Sequence, residues 1–205
     1  MIKRIVLFMA VAAALVGCAG KPSVYYTLTP SVDREPATAA ALAPVGPYSI
    51  GSVAVPAPVD DVLIVVRRSD DQLMKLAHDR WTAPLSKQVS NALAAALTRE
   101  LGMPPFSRLQ AGTISSGIST ISVDVQRFDL VPGKYAELSA AWQVVSDRSG
   151  AKKSRLFCYT ELREPVEPGV APLVKAQQAN IERLAQAISA GLRTGKSGSA
   201  ATRCQ

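Results

Sequence analysis

Residues 5–16 are apolar and carry no charge, and Lys3 and Arg4 stand just in front of them. A run of this length falls short of the ~20 residues that a membrane-crossing helix needs. A basic start followed by a short apolar run is the pattern of a secretory signal segment, which is cut off and takes no part in the fold. This feature decides which residues are available to fold, because the mature chain is expected to begin after residue 17. Of the 205 residues, 188 then remain, enough for one domain with a core and too few to demand two.

The run closes with Leu15-Val16-Gly17-Cys18, which resembles the bacterial lipobox. In that motif the cysteine thiol receives a diacylglyceryl group, the chain is cut before it, and the new amine takes a further acyl chain such as palmitate. Cys18 is therefore the expected lipidation site; the bland alternative is an ordinary signal peptide with a stray cysteine. Ala19 follows, where an aspartate would resemble the inner-membrane retention signal, so the expected location is the periplasmic face of the outer membrane. The expected organisation is a signal peptide at 1–17, a lipidated tether at 18–22, one domain at 23–195 and a tail at 196–205.

With Cys18 acylated, Cys158 and Cys204 remain in an oxidising compartment, where paired cysteines tend to form disulfides. A metal site is a poor reading, since His78 is the sole histidine and no Cys-x-x-Cys spacing occurs. The formal charge falls from +7 to +5 once Lys3 and Arg4 leave. That mild excess suits a surface of anionic headgroups. It does not suit nucleic acid, because the basic residues are scattered without an aromatic-basic cluster.

Along the mature chain, residues 23–28 are aromatic and β-branched and predict a first strand. Residues 29–47 are rich in Ala and Pro and predict a connection without regular structure. Strands are expected at 48–55 and 62–66, separated by Pro56-Ala57-Pro58, with a short hairpin arm at 72–76 after the Ser69-Asp70-Asp71 turn. Leu85, Val89, Leu93, Leu97 and Leu101 recur every four residues behind Pro84 and before Gly102, which predicts an amphipathic helix. A Gly- and Ser-rich loop at 113–120 precedes three alternating runs at 121–130, 138–144 and 154–162, which predict an antiparallel meander. Its short turns are 131–134 and 147–150. The apolar phase slips at Gln126-Arg127, as a β-bulge requires. A second long helix is expected at 170–193, with Leu173, Ile181, Leu184, Ile188 and Leu192 on one face and Gly195 after it. The expected fold class is α/β: a mixed, partly antiparallel sheet covered by two long amphipathic helices.

Catalytic constellations are scarce, so no catalytic residue and no cofactor is expected. His78 stands beside Asp79 and Arg80, expected in a polar turn before a helix, and no Gly-x-Ser-x-Gly elbow occurs. Gly195-Lys196-Ser197 imitates the end of a phosphate loop, but Ala190 stands where the required glycine belongs. Trp142 lies on an alternating strand and is expected in the core. Trp81, expected at a helix entrance beside Arg80, is either core or an anchor for a partner.

Several blocks carry a family likeness. Val53-Ala54-Val55-Pro56, Leu63-Ile64-Val65-Val66-Arg67 and Arg80-Trp81-Thr82-Ala83-Pro84-Leu85 come in order, after Tyr25-Tyr26-Thr27-Leu28. Later come Val123-Asp124-Val125-Gln126-Arg127-Phe128 and Leu138-Ser139-Ala140-Ala141-Trp142. Together they resemble the ABC-type transport auxiliary lipoproteins, the PqiC-like family, over nearly all the mature chain. The sequence departs from that family at Pro56-Ala57-Pro58-Val59-Asp60, where relatives carry an aromatic-Leu pair. The resemblance implies a fold similar to an anticodon-binding-like or TolB N-terminal-like domain. It implies partners too: an MCE-domain (mammalian cell entry) protein and an inner-membrane ABC permease and ATPase that move lipid between membranes. Pro56, Asp60, Arg80 and Trp81 are the expected partner-binding residues, on an exposed loop and an exposed corner. A homo-oligomer stays open, and a structural envelope-assembly lipoprotein without transport is the alternative function.

Overall fold

The slip of apolar phase at residue 126 is a β-bulge. In a computed structural model, β5 (Ser119–Val131) pairs antiparallel with β6 (Tyr135–Ser146), and its register jumps between Val125 and Arg127. Odd-numbered Ile121, Val123 and Val125 are buried before the bulge, and even-numbered Phe128 and Leu130 after it. The extra residue turns both halves of a 13-residue strand toward one core. The structure describes residues 21–30, 45–106, 117–146, 154–195 and 201–205. The expected signal peptide, Cys18, most of the Ala-Pro stretch, part of the Gly-Ser loop and the turn expected at 147–150 lie outside them.

β7 (Ser154–Pro165) continues the meander, and β2 (Tyr48–Ala54) pairs parallel with β5 at the other side. β8 (Thr202–Cys204) adds to β7, giving a five-stranded sheet in the order β2-β5-β6-β7-β8. Residues 202–204, expected in a tail, form this edge strand. A second, three-stranded sheet has the order β1-β4-β3, built from β1 (Val24–Tyr26), β3 (Leu63–Arg67) and β4 (Leu73–Trp81). Two sheets thus replace the single mixed sheet expected, within the same α/β class.

α1 (Leu85–Leu101) and α2 (Val170–Thr194) follow the period that the leucines announce. Each ends at a glycine in the left-handed region, Gly102 at φ 72° and Gly195 at φ 66°, which closes the last turn without a Cβ penalty. The helices pack on each other, and α2 lies across β6 and β7. Trp142 is buried under α2, and its indole N–H donates to Thr160 Oγ1 at 2.9 Å. Gly191 makes that approach tight: a Cβ there would stand 3.0 Å from Trp142 Cη2 and 2.9 Å from Leu156 Cδ2.

The N-terminal strand is fastened on several sides. Tyr26 O accepts the Thr82 N–H at 3.0 Å, Leu28 N–H donates to Gln88 Oε1 at 3.0 Å, and Thr27 O accepts from Gln178 at 2.9 Å. Leu28 itself is fully buried. β1 belongs to the folded unit and is not a loose extension of the tether.

Candidate functional site

The short break after β2 becomes a single turn of 3-10 helix, Ala57–Val59. Pro56 O accepts the N–H groups of Val59 and Asp60 at 3.0 and 3.2 Å, so proline rigidity and two backbone bonds hold the turn in place. It forms one wall of a cleft of about 450 Å³, through Pro56, Pro58 and Val59. The β3–β4 hairpin gives Arg67, Asp70 and Leu73 to a second wall. The bulged half of β5 and the start of β6 give Gln126, Arg127, Phe128, Asp129 and Tyr135 to the floor.

A charge network underlies that floor. Asp129 and Glu137 are direct cross-strand partners, and both are buried. Like charges in that position repel, so each needs compensation. Arg67 reaches across from β3, its Nη2 2.9 Å from Asp129 Oδ1. Glu137, only 1% exposed, takes Arg127 at 3.3 Å and the Nε of Arg163 at 2.8 Å. The Arg163 guanidinium also lies over the Tyr135 ring, 4.0 Å from its centroid. From the helix side, Gln177 donates to the backbone oxygens of Glu137 and Asp129 at 2.9 and 3.3 Å. The hydrogen bond that Arg67 donates to the Asp129 carboxylate pushes the Arg67 pKa above the usual guanidinium value, so Arg67 is a fixed cation.

Three guanidinium groups thus face two carboxylates at the edge of a cleft with proline, valine, leucine and aromatic walls. Arg127 and Arg163 keep more than half of their side-chain surface in solvent. The arrangement can grip a short segment that presents an acidic group beside an apolar one. No group of His, Cys, Asp or Glu among the described residues is arranged to hold a metal ion.

Of the expected partner-binding residues, the cleft takes Pro56 alone. Asp60 points the other way, its Oδ1 accepting the Ser86 N–H at 2.9 Å. It caps α1 from a distance, since Pro84 at the helix start has no side chain able to do so. Trp81 does not stand at an exposed corner: it ends β4, is 2% exposed, and meets Phe128 edge to face at 6.4 Å. The arm expected to stop near residue 76 runs on to Trp81, and strand pairing carries the indole into the core. Arg80, also expected at that corner, is half-buried between Tyr25 of β1 and Leu63 of β3. Likewise His78 lies on β4 and not in a turn. Cys158 and Cys204 face each other in the β7–β8 pairing and are joined by a disulfide.

Arg67, Arg127, Asp129, Glu137 and Arg163 were not anticipated as a group. A trace of them exists in the strand pattern, because Glu137 and Asp129 both interrupt runs of apolar residues. Their meeting depends on the bulge register and on a second sheet, which no local pattern announces.

An α/β domain with two long helices packed on a five-stranded sheet is the class that these features define. The chain belongs to the family described as "ABC-type transport auxiliary lipoprotein component", whose profile matches residues 26–189. The crystal structure of an uncharacterized protein superposes with a TM-score of 0.63 at 21% identity, covering 82% of this chain and 97% of the other. Protein XCC0632 from Xanthomonas campestris does so with a TM-score of 0.58 at 15% identity, covering 84% and 96%. These likenesses concern the fold. No curated protein matches the chain. Among the described residues, no helix is long and apolar enough to cross a membrane.

Proposed function

We propose that this chain is a lipoprotein anchored through Cys18 at the periplasmic face of the outer membrane, where it docks the MCE-domain component of an ABC-type lipid transport system. Membership of an ABC transport auxiliary family supports a role in such a system. The observation that carries the docking role is the position of β1, fixed in a sheet only six residues after Cys18. At ~3.3–3.6 Å per extended residue, the domain stays within about 21 Å of its anchor. So short a leash rules out a shuttle that crosses the periplasm with a lipid, and the partner has to come to the domain. The subunit is read as non-catalytic, and His78→Ala should leave its function intact.

The cleft between the 56–61 loop and the β5 bulge is the docking place this reading favours, in place of the Arg80-Trp81 corner. Its prolines and Phe128 suit apolar side chains, and Arg127 keeps a free face for a carboxylate. A photo-crosslinking residue at Pro58 in the full lipidated chain should capture an MCE-domain protein, and one at Lys87 in α1 should not. Arg127→Gln should weaken co-purification with that protein while Arg163 still holds Glu137. Equal capture at both positions together with unchanged co-purification would remove the cleft from the account. Membrane fractionation checks the location, and protein confined to the inner membrane would refute that part.

A further inference from the structure

We infer that the tip of the β3–β4 hairpin rests on the lipid surface, with Leu73 and Met74 as its apolar contacts; this builds on the anchor at Cys18. The argument starts from strand direction. β1 pairs parallel with β4, Val24 opposite Asp79 and Tyr26 opposite Trp81. A chain followed backwards from Val24 therefore heads toward the start of β4, not toward its end. Cys18 lies six residues before Val24, and Leu73 lies six residues before Asp79. At ~3.3 Å per residue six residues reach at most about 20 Å, the length of the β4 path from Asp79 to Leu73, so the hairpin tip lies within reach of the leash. The described part of the leash, Lys21 to Ser23, is exposed.

Exposure of apolar side chains follows the same course. Among the described residues, the exposed large hydrophobics are Val24, Tyr25, Val62, Leu73, Met74 and Phe157. Val24 and Tyr25 lie where the leash joins the sheet, and Leu73 and Met74, 41% and 36% exposed, lie toward the end of β4 to which the leash points. Leu73 pairs with Arg67 and Met74 with Val66 at the closed end of the hairpin. The fold leaves more than a third of each residue uncovered, and a bilayer held at Cys18 would cover it.

Charge says which lipid surface. Arg67 is paired with Asp129, which leaves Arg68 beside Asp70 and Asp71 in the same turn. With no excess of positive charge the tip has no preference for anionic headgroups, so the contact is apolar and suits a zwitterionic surface. The cleft described above opens beside this tip, with Leu73 in its wall, so the contact would bring the docking place down to the membrane.

The test uses the full lipidated protein in vesicles of phosphatidylcholine and phosphatidylethanolamine that carry a doxyl-labelled quencher lipid. An environment-sensitive fluorophore is attached in turn at Leu73→Cys, Met74→Cys and Lys87→Cys, the last being past the far end of β4. The expected result is a severalfold greater loss of emission at Leu73 or Met74 than at Lys87. Protein that floats with the vesicles but is quenched no more at Leu73 and Met74 than at Lys87 overturns the inference and leaves the anchor standing. Protein that does not float at all overturns the anchor and this inference with it.

Discussion

Trp81 and Tyr48 are single residues whose surroundings make sharp predictions. Trp81 fills the seam between the two sheets, so Trp81→Ala should cost about 3–5 kcal/mol of stability, the usual price of deleting a buried aromatic. Chemical denaturation measures this, and a loss under 1 kcal/mol would return Trp81 to the surface. Tyr48 is fully buried, and its hydroxyl donates to Met103 O at 2.8 Å. Burial pushes its pKa up from 10.0 to about 12. The folded state then holds the phenol proton longer than the unfolded state does. The resulting stability is complete below pH 10 and is lost as pH rises toward 12. Tyr48→Phe should be less stable at neutral pH by about 1 kcal/mol for the lost hydrogen bond. It should also show a flatter decline above pH 10 by circular dichroism; identical slopes would contradict the assignment. At this scale the sequence told core from surface at Trp142 but not at Trp81, because only strand length decides on which side of the sheet that indole falls.

Elements were more legible than contacts. Both helices, the meander and the bulge follow from the spacing of apolar residues, since periods of four and two are written directly into the chain. The parallel pairing of β1 with β4 and of β2 with β5 was not legible, because such partners are distant in sequence and set by packing. The same holds for Asp60, which caps a helix 25 residues further on. β8 is another case: three residues cannot advertise a strand by periodicity, and the residues just before them read as a tail. The Cys158–Cys204 bond closes a separation of 46 residues and fixes β8 on the sheet edge. Replacing both cysteines with serine should cost roughly 2–4 kcal/mol. Melting with and without reductant checks it, and an unchanged Tm would mean that the remaining β7–β8 pairing suffices.

The whole molecule is a small domain with its N-terminal strand locked in place six residues after Cys18, the proposed anchor. Family and fold class were readable from blocks in the sequence, each carried by local residue order. The cleft was not, because it lies where a 3-10 turn, a hairpin and a bulge from three separate stretches converge. If the domain works only because it is held beside the membrane, distance should matter more than any single contact. The most direct measurement lengthens the leash with a flexible Gly-Ser insert after Ser23 and follows transport-dependent envelope integrity in cells. A 20-residue insert adds about 25 Å of root-mean-square reach. Progressive loss of function with insert length, at normal protein levels and with unchanged fractionation, is the predicted result. Full function with the longest insert would contradict the account, because a partner that finds the domain at any height does not need it at the membrane.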